Sequence, residues 1–366
     1  MSDDDKIEVS EIEGLDDDNG GGLGDYPIDT VLIRHETRTV FEIIRRIHQG
    51  LFVMNPDFQR DFIWEGDKQS KLIESVLLRI PLPVFYLAED SYGRLVVVDG
   101  LQRLSTFRDF FANKLRLALP SRKDLHGKTF DELPSKLKSR IEDCNLILYV
   151  IDAKVQEKVR LDIFDRVNAG IPLTRQQMRN CLYSGPATRF LWEEANTDLF
   201  KQATGNSLRS NMMRDREFIN RFCAFQLLGY SSFRSEFDEF LADALKKMNE
   251  LPAPELAALS KQFRLGLQNN VAVFSQHAFR KRRSQTSGRL PLNVSLWDVM
   301  STGLSRYPHD VVLEQKNNLE RRFEDLLNDD GFVAAITSST NDPKKVKYRF
   351  ETSKQMLREV LGDPSA

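Results

Sequence analysis

The 366 residues are 41% hydrophobic and 29% charged, the balance of a soluble globular protein, with enough chain for two packed units. No run of about 18 apolar residues exists, and the N-terminus is acidic where an export signal is basic and then apolar, so the expectation is a cytoplasmic protein that does not span a membrane. The net charge of −2 hides an asymmetry. Residues 1–29 hold eleven acids against Lys6 alone, which leaves 51 basic and 43 acidic residues in the remainder. Such an acidic, glycine-rich stretch buries too little to fold alone and is expected to be a disordered tail. It either solubilises the protein or imitates a polyanion that screens the basic body.

After that tail, "TVFEIIRRIHQG" (39–50) has helical apolar spacing and stops at Gly50. The next segment, "LFVMNPDFQRDFIW", starts as a short strand and turns at Asn55-Pro56, leaving Gln59 and Arg60 between aromatics. "KQSKLIESVLLR" (68–79) is an amphipathic helix, and 82–88 and 94–98 read as strands joined by a turn at Ser91-Tyr92-Gly93. "LVVVDGLQRLSTF" begins as the most apolar strand and continues as a helix with Leu101, Leu104, Phe107 and Phe111 on one side. A polar segment (113–140), a strand (145–152) and a helix closed by Gly170 follow. Beyond Pro172 the pattern is helical, with segments at 175–183, 187–195, 214–228, 233–248, 254–267, 296–306, 311–327 and 344–361. The expected fold class is α+β: a tail over 1–29, a mixed sheet-and-helix domain over 30–172 and an α-helical domain over 173–366.

Three stretches have the residue types for chemistry. At Asp99-Gly100-Leu101-Gln102-Arg103 a strand gives way to a helix, whose N-terminal N–H groups attract anions, while glycine admits close approach and Arg103 offers a planar fork for phosphate oxygens. Asp99 has two readings there: a helix cap, or a carboxylate that holds Mg2+ or water beside a phosphate. Gln59 and Arg60 form a polar pair in an aromatic frame, with Arg60 stacked on Phe62 or Trp64 as the plain alternative. "DRVNAGIPLTRQQMRN" gathers Arg166, Asn168, Arg175, Gln176 and Arg179 around a turn, or is simply a polar surface turn.

In order, "FQRDFIW", "LIESVLLRIPLPVFYL", "VVVDGLQRLSTF", "IFDRVNAGIPLTRQQMRN" and "RDREFINRF" resemble the N-terminal domain of GmrSD-type modification-dependent restriction systems, over roughly 30–350. "SLWDVMSTGLSRYP" and "SSTNDPKKVKYRF" extend the likeness into the helical part. The resemblance implies a ParB- and sulfiredoxin-like fold and a module that binds a nucleoside triphosphate (GTP, ATP or another) with Mg2+, and hydrolyses it, in anti-phage defence. It makes Asp99, Gln102 and Arg103 the catalytic set and Gln59, Arg60, Gly100 and Arg103 the nucleotide-binding set; on the carboxylate reading above, Asp99 is also the metal ligand. Leu101 departs from the Asp-Gly-Gln-Gln-Arg signature; an apolar residue there packs but donates no hydrogen bond, which puts turnover in question.

No histidine spacing fits an HNH nuclease, and Asp152-Ala153-Lys154 lacks a partner acid, so the effector nuclease is expected on a separate protein. "FRKRRSQTSGR" sets Arg280, Lys281, Arg282, Arg283 and Arg289 in one segment suited to DNA phosphates, or forms a solvated loop. A non-enzymatic DNA-binding or antitoxin-like scaffold is the rival reading, a DNA nickase a more distant one, and self-association stays open. Cys144, Cys181 and Cys223 lack paired spacing and are expected to be buried hydrophobes.

Overall fold

In the computed structural model, residues 12–14, 33–54, 64–90, 92–155, 157–167, 174–210, 212–281 and 290–364 are described. The chain divides into two units, one formed by 22–182 and the other by 183–366 together with the first 21 residues.

The first unit is a five-stranded mixed sheet with helices. Its elements are β2 (Ile33–Thr39), α1 (Val40–His48), β3 (Phe52–Val53), α2 (Gly66–Leu77), β4 (Phe85–Glu89), β5 (Leu95–Asp99), α3 (Leu101–Phe111), α4 (Ser135–Glu142), β6 (Asn145–Ile151), α5 (Glu157–Val167) and α6 (Arg175–Leu182), after a two-residue β1 (Ile12–Glu13) that belongs to the other unit. The strand order is β2-β6-β4-β5-β3. β2 runs antiparallel to β6, β6 parallel to β4, β4 antiparallel to β5, and β5 parallel to β3. Val40, Ile43 and Ile44 of α1, Leu72, Ile73 and Val76 of α2, and Leu104, Phe107 and Phe110 of α3 pack with Phe85, Leu87, Leu95 and Val97 in one core. Val96 and Val98, which alternate to the other face of β5, are buried as well. A strand covered on both faces is the expected reason for an unbroken Leu-Val-Val-Val run.

β2 is an element that the apolar pattern does not announce. "IRHETRT" is an edge strand whose long side chains form an ion-pair ladder: Arg34 with Glu36 and Glu89 at 2.9 and 2.7 Å, and Arg38 with Glu36 and Glu42 at 2.5 and 2.7 Å. Charged edge strands resist pairing with other chains, so polarity there is compatible with strand structure. The polar segment 113–140 likewise ends in α4, anchored by Ile141, which is completely buried.

The second unit is helical: α7 (Pro186–Ala195), α8 (Asp198–Thr204), α9 (Arg214–Leu228), α10 (Phe237–Glu250), α11 (Ala253–Phe274), a short β7 (Leu292–Asn293), α12 (Val294–Leu304), α13 (His309–Glu314), α14 (Lys316–Leu327), α15 (Asp330–Thr337) and α16 (Pro343–Leu361). The single helix expected over 311–327 is two, and α11 runs seven residues past the expected end at Leu267. Trp297 is fully buried among Phe200, Phe218, Phe263 and Phe279, and its indole N–H donates to the Phe218 carbonyl at 2.7 Å. Three residues of the acidic stretch join this unit: Ile12 and Glu13 pair in parallel with Leu292 and Asn293, and the Gly14 carbonyl accepts from Thr340. The rest of the expected disordered tail lies outside the described residues.

Cys181 and Cys223 are buried as expected, while Cys144 is only half-buried; all three are free thiols. Burial pushes the Cys181 thiol up to about 12 and Cys223 higher still, so neither is a nucleophile near neutral pH.

Candidate functional site

The end of β5 carries a local irregularity. Leu87 pairs with Val97, but Tyr86 pairs with Asp99, so one extra residue of β5 is accommodated immediately before Asp99. A bulge of this kind re-aims the next side chain and terminates regular pairing. Gly100 then turns the chain into α3 with φ +99°, in the left-handed region. A Cβ here would also meet the Phe85 ring at 2.3 Å, so glycine is required on two grounds.

Arg103, only 8% exposed, reaches back across this turn. Its Nη1 donates to the Pro83 carbonyl, and its Nη2 donates to the Val84 carbonyl at 3.1 Å and to Asp99 Oδ2 at 2.9 Å. The guanidinium also lies 4.2 Å over the Phe85 ring. Burial pulls Arg103 below the usual arginine range, opposed by the Asp99 charge. Three donors that the sequence offered to phosphate are therefore used within the fold, and Arg103 is a positioning residue for the β4–β5–α3 junction.

Asp99 does not act as the helix cap: the cap position of α3 is Gly100, and the carboxylate is held by Arg103. With a side chain 36% exposed, Asp99 is the accessible acid of this junction. Leu101, 5% exposed, packs in the core as its apolar character requires. The Gln102 side-chain carbonyl accepts the backbone N–H of Trp64 at 3.2 Å. Gln59 and Arg60 lie outside the described residues. Of the described residues beside them in sequence, Phe52 and Val53 of β3 pair with β5, and Trp64 binds Gln102.

The helix expected from 175 is present as α6, and its polar residues from Gln176 onward are buried, so the plain alternative of a polar surface turn does not hold for them. Thr174 and Gln177 form a reciprocal capping box at 2.7 and 3.2 Å. Beyond it, Arg179 Nε donates to Gln176 Oε1 and Gln176 Nε2 to Asn180 Oδ1, each at 3.0 Å, and all three residues are at most 1% exposed. α6 packs against β5. The signal in the sequence is a helix-length segment, Arg175–Leu182, in which the amides Gln176, Gln177 and Asn180 are mixed with the apolar Met178, Cys181 and Leu182. Arg175 pairs with the buried Asp162 at 2.8 Å, Arg166 is exposed, and Asn168 lies outside the described residues.

The remaining expectations separate. Arg280, 1% exposed, donates to the carbonyls of Leu290, Ala278 and Thr204 at 2.7, 2.9 and 2.8 Å. It fastens loops together and is not placed to meet DNA. Lys281 binds Glu13, and Thr337 Oγ1 at 2.7 Å, and Arg282, Arg283 and Arg289 lie outside the described residues. Asp152 closes its own turn by accepting the Lys154 backbone N–H at 2.9 Å, so the acid-x-Lys match is a structural turn. Among the described residues no group of three or more His, Cys, Asp or Glu could hold a metal ion, and no helix is long and apolar enough to cross a membrane.

Comparison with curated proteins and with solved structures finds no match. The family comparison does: residues 40–184, which span β5, Gly100, α3 and α6, match the model described as GmrSD restriction endonuclease, N-terminal domain, so this part of the chain is similar to that domain.

Proposed function

We propose that the β5–α3 junction binds the phosphates of a nucleoside triphosphate together with Mg2+. On this reading the protein is an NTP-hydrolysing regulatory or sensor subunit of a bacterial anti-phage, restriction-like system, with DNA as a partner and the nuclease on a separate chain. The observation that carries the reading is that α3 starts at a left-handed glycine, which has no side chain to cap the helix, while the adjacent carboxylate is held by Arg103. The helix dipole favours an anion at this N-terminus, and glycine admits its close approach. Asp99 is the residue that would hold Mg2+, which would supply positive charge to the phosphates. Gln102 holds Trp64 to the junction, and Gln59 and Arg60 are the other residues that the resemblance assigns to the nucleotide. Charge stabilisation and positioning are sufficient chemistry for phosphoryl transfer.

The test is release of free phosphate from each nucleoside triphosphate with Mg2+, alongside equilibrium binding. We expect binding by the whole protein and release that D99N removes, since an amide keeps an acceptor for Arg103 but not the charge. Absence of binding for every nucleotide would refute the site. Binding without release would favour the second reading, a non-catalytic sensor or DNA-binding scaffold, which rests on Leu101 being packed in the core where it offers no polar group to a water.

A further inference from the structure

The helical unit contains a cavity of about 180 Å³ whose walls combine an aromatic pair with groups that have no internal role. Tyr230 and Phe350 form one wall, stacked at 13° with ring centroids 5.0 Å apart, and Leu357 extends the apolar lining. Ser353 also lines it. It is 2% exposed, and its Oγ has no hydrogen-bond partner among the described residues. Helical hydroxyls ordinarily donate back to the carbonyl four residues earlier, as Ser301, Thr302 and Thr352 do at 2.6, 2.6 and 2.8 Å. Ser353 is thus a buried polar group waiting for an outside partner.

Two cations complete the lining, Arg306, which is exposed, and Lys354, which is half-buried. Among the described residues neither is in an ion pair, whereas the nearby Arg358 is matched by Asp363 at 3.1 Å. An apolar cavity of ~150 Å³ takes up benzene. This one has room for one or two fused rings, an inner hydroxyl and an electropositive rim.

We propose that this cavity is a binding site for a small flat organic anion, an aromatic or heteroaromatic ring carrying one carboxylate. The ring lies against Tyr230 and Phe350, a polar ring atom meets Ser353 Oγ, and the carboxylate meets Arg306 and Lys354. The site is separate from the β5–α3 junction and does not depend on the function proposed for it.

The experiment is calorimetric titration of the full-length protein with indole-3-carboxylate, indole and acetate. We expect saturable binding of indole-3-carboxylate, weaker binding of indole and none of acetate. The double variant R306Q/K354Q should bind indole-3-carboxylate about tenfold or more weakly while keeping its affinity for indole. S353L, which fills the cavity, should bind neither ring; circular dichroism checks its fold, and R306Q/K354Q decides the matter alone if S353L is unfolded. No saturable heat with indole-3-carboxylate, equal affinity in R306Q/K354Q, or acetate binding as well as indole-3-carboxylate would each overturn the proposal.

Discussion

The side-chain carbonyl of Gln102 accepts the backbone N–H of Trp64 across 38 residues of sequence, at 3.2 Å. A first-turn residue of α3 thereby holds Trp64 to the β5–α3 junction. A hydrogen bond of this kind is worth roughly 0.5–1.5 kcal/mol. Q102A should weaken nucleotide binding by about that amount and lower the melting temperature only slightly, whereas Q102E, which keeps an acceptor oxygen, should retain more of the affinity. Titration with a fluorescent nucleotide, paired with a thermal melt, checks both; equal loss in the two variants would contradict the positioning role.

Gly100 answers two demands at once, a left-handed φ and the 2.3 Å clearance to Phe85. G100A should cost roughly 2–4 kcal/mol, from strain plus overpacking. The urea midpoint is the measurement, and an unchanged midpoint would mean that Phe85 and the turn yield easily.

In the helical unit Asp298 is fully buried and receives two guanidiniums, Arg221 at 2.8 and 2.6 Å and Arg349 at 3.1 Å. Burial pushes Arg349 down to about 10, with Asp298 opposing that shift. D298N strands two buried cations and should destabilise by about 3–5 kcal/mol. R349M leaves the Arg221–Asp298 pair intact and should cost less. Chemical denaturation of both variants tests the order, which is the informative quantity.

Acid sensitivity should reside partly in the β2 ladder. Burial alone would raise Glu36, but hydrogen bonds from Arg34 and Arg38 hold its carboxyl below the usual range; Glu42 is lowered against burial in the same way by Arg46 and Arg38. A carboxylate lowered on folding contributes stability above its unfolded value and loses it as pH falls through the folded one. E36Q should therefore start less stable at neutral pH and lose less between roughly pH 5 and 3. Melting temperatures of wild type and E36Q that fall in parallel over that range would exclude the ladder as a contributor.

What sequence could and could not reveal follows from the forces at each position. The Leu-Val-Val-Val run and the Leu101, Leu104, Phe107 stripe are one-dimensional patterns of burial, so strand, turn and helix at the junction were legible, as was the α+β class. β2 was not, because its strand structure comes from pairing with β6 and its side chains from the need to protect an edge. The direction in which Arg103 points was equally hidden: phosphate fork and internal brace require the same residue, and here the Phe85 ring and the Pro83 and Val84 carbonyls engage it as a brace. Arg280 repeats the lesson, since a basic run says nothing about which member turns inward to bind carbonyls.

The pairing of β1 with β7 converts part of the acidic stretch into a tethered counterion. Glu13 is held on Lys281 by a strand of the same chain, next in sequence to the arginine-rich segment. A tethered ligand acts at an effective concentration set by its linker and cannot be diluted away. Any free polyanion arriving at Lys281 therefore competes with a carboxylate whose local concentration stays the same however dilute the protein becomes.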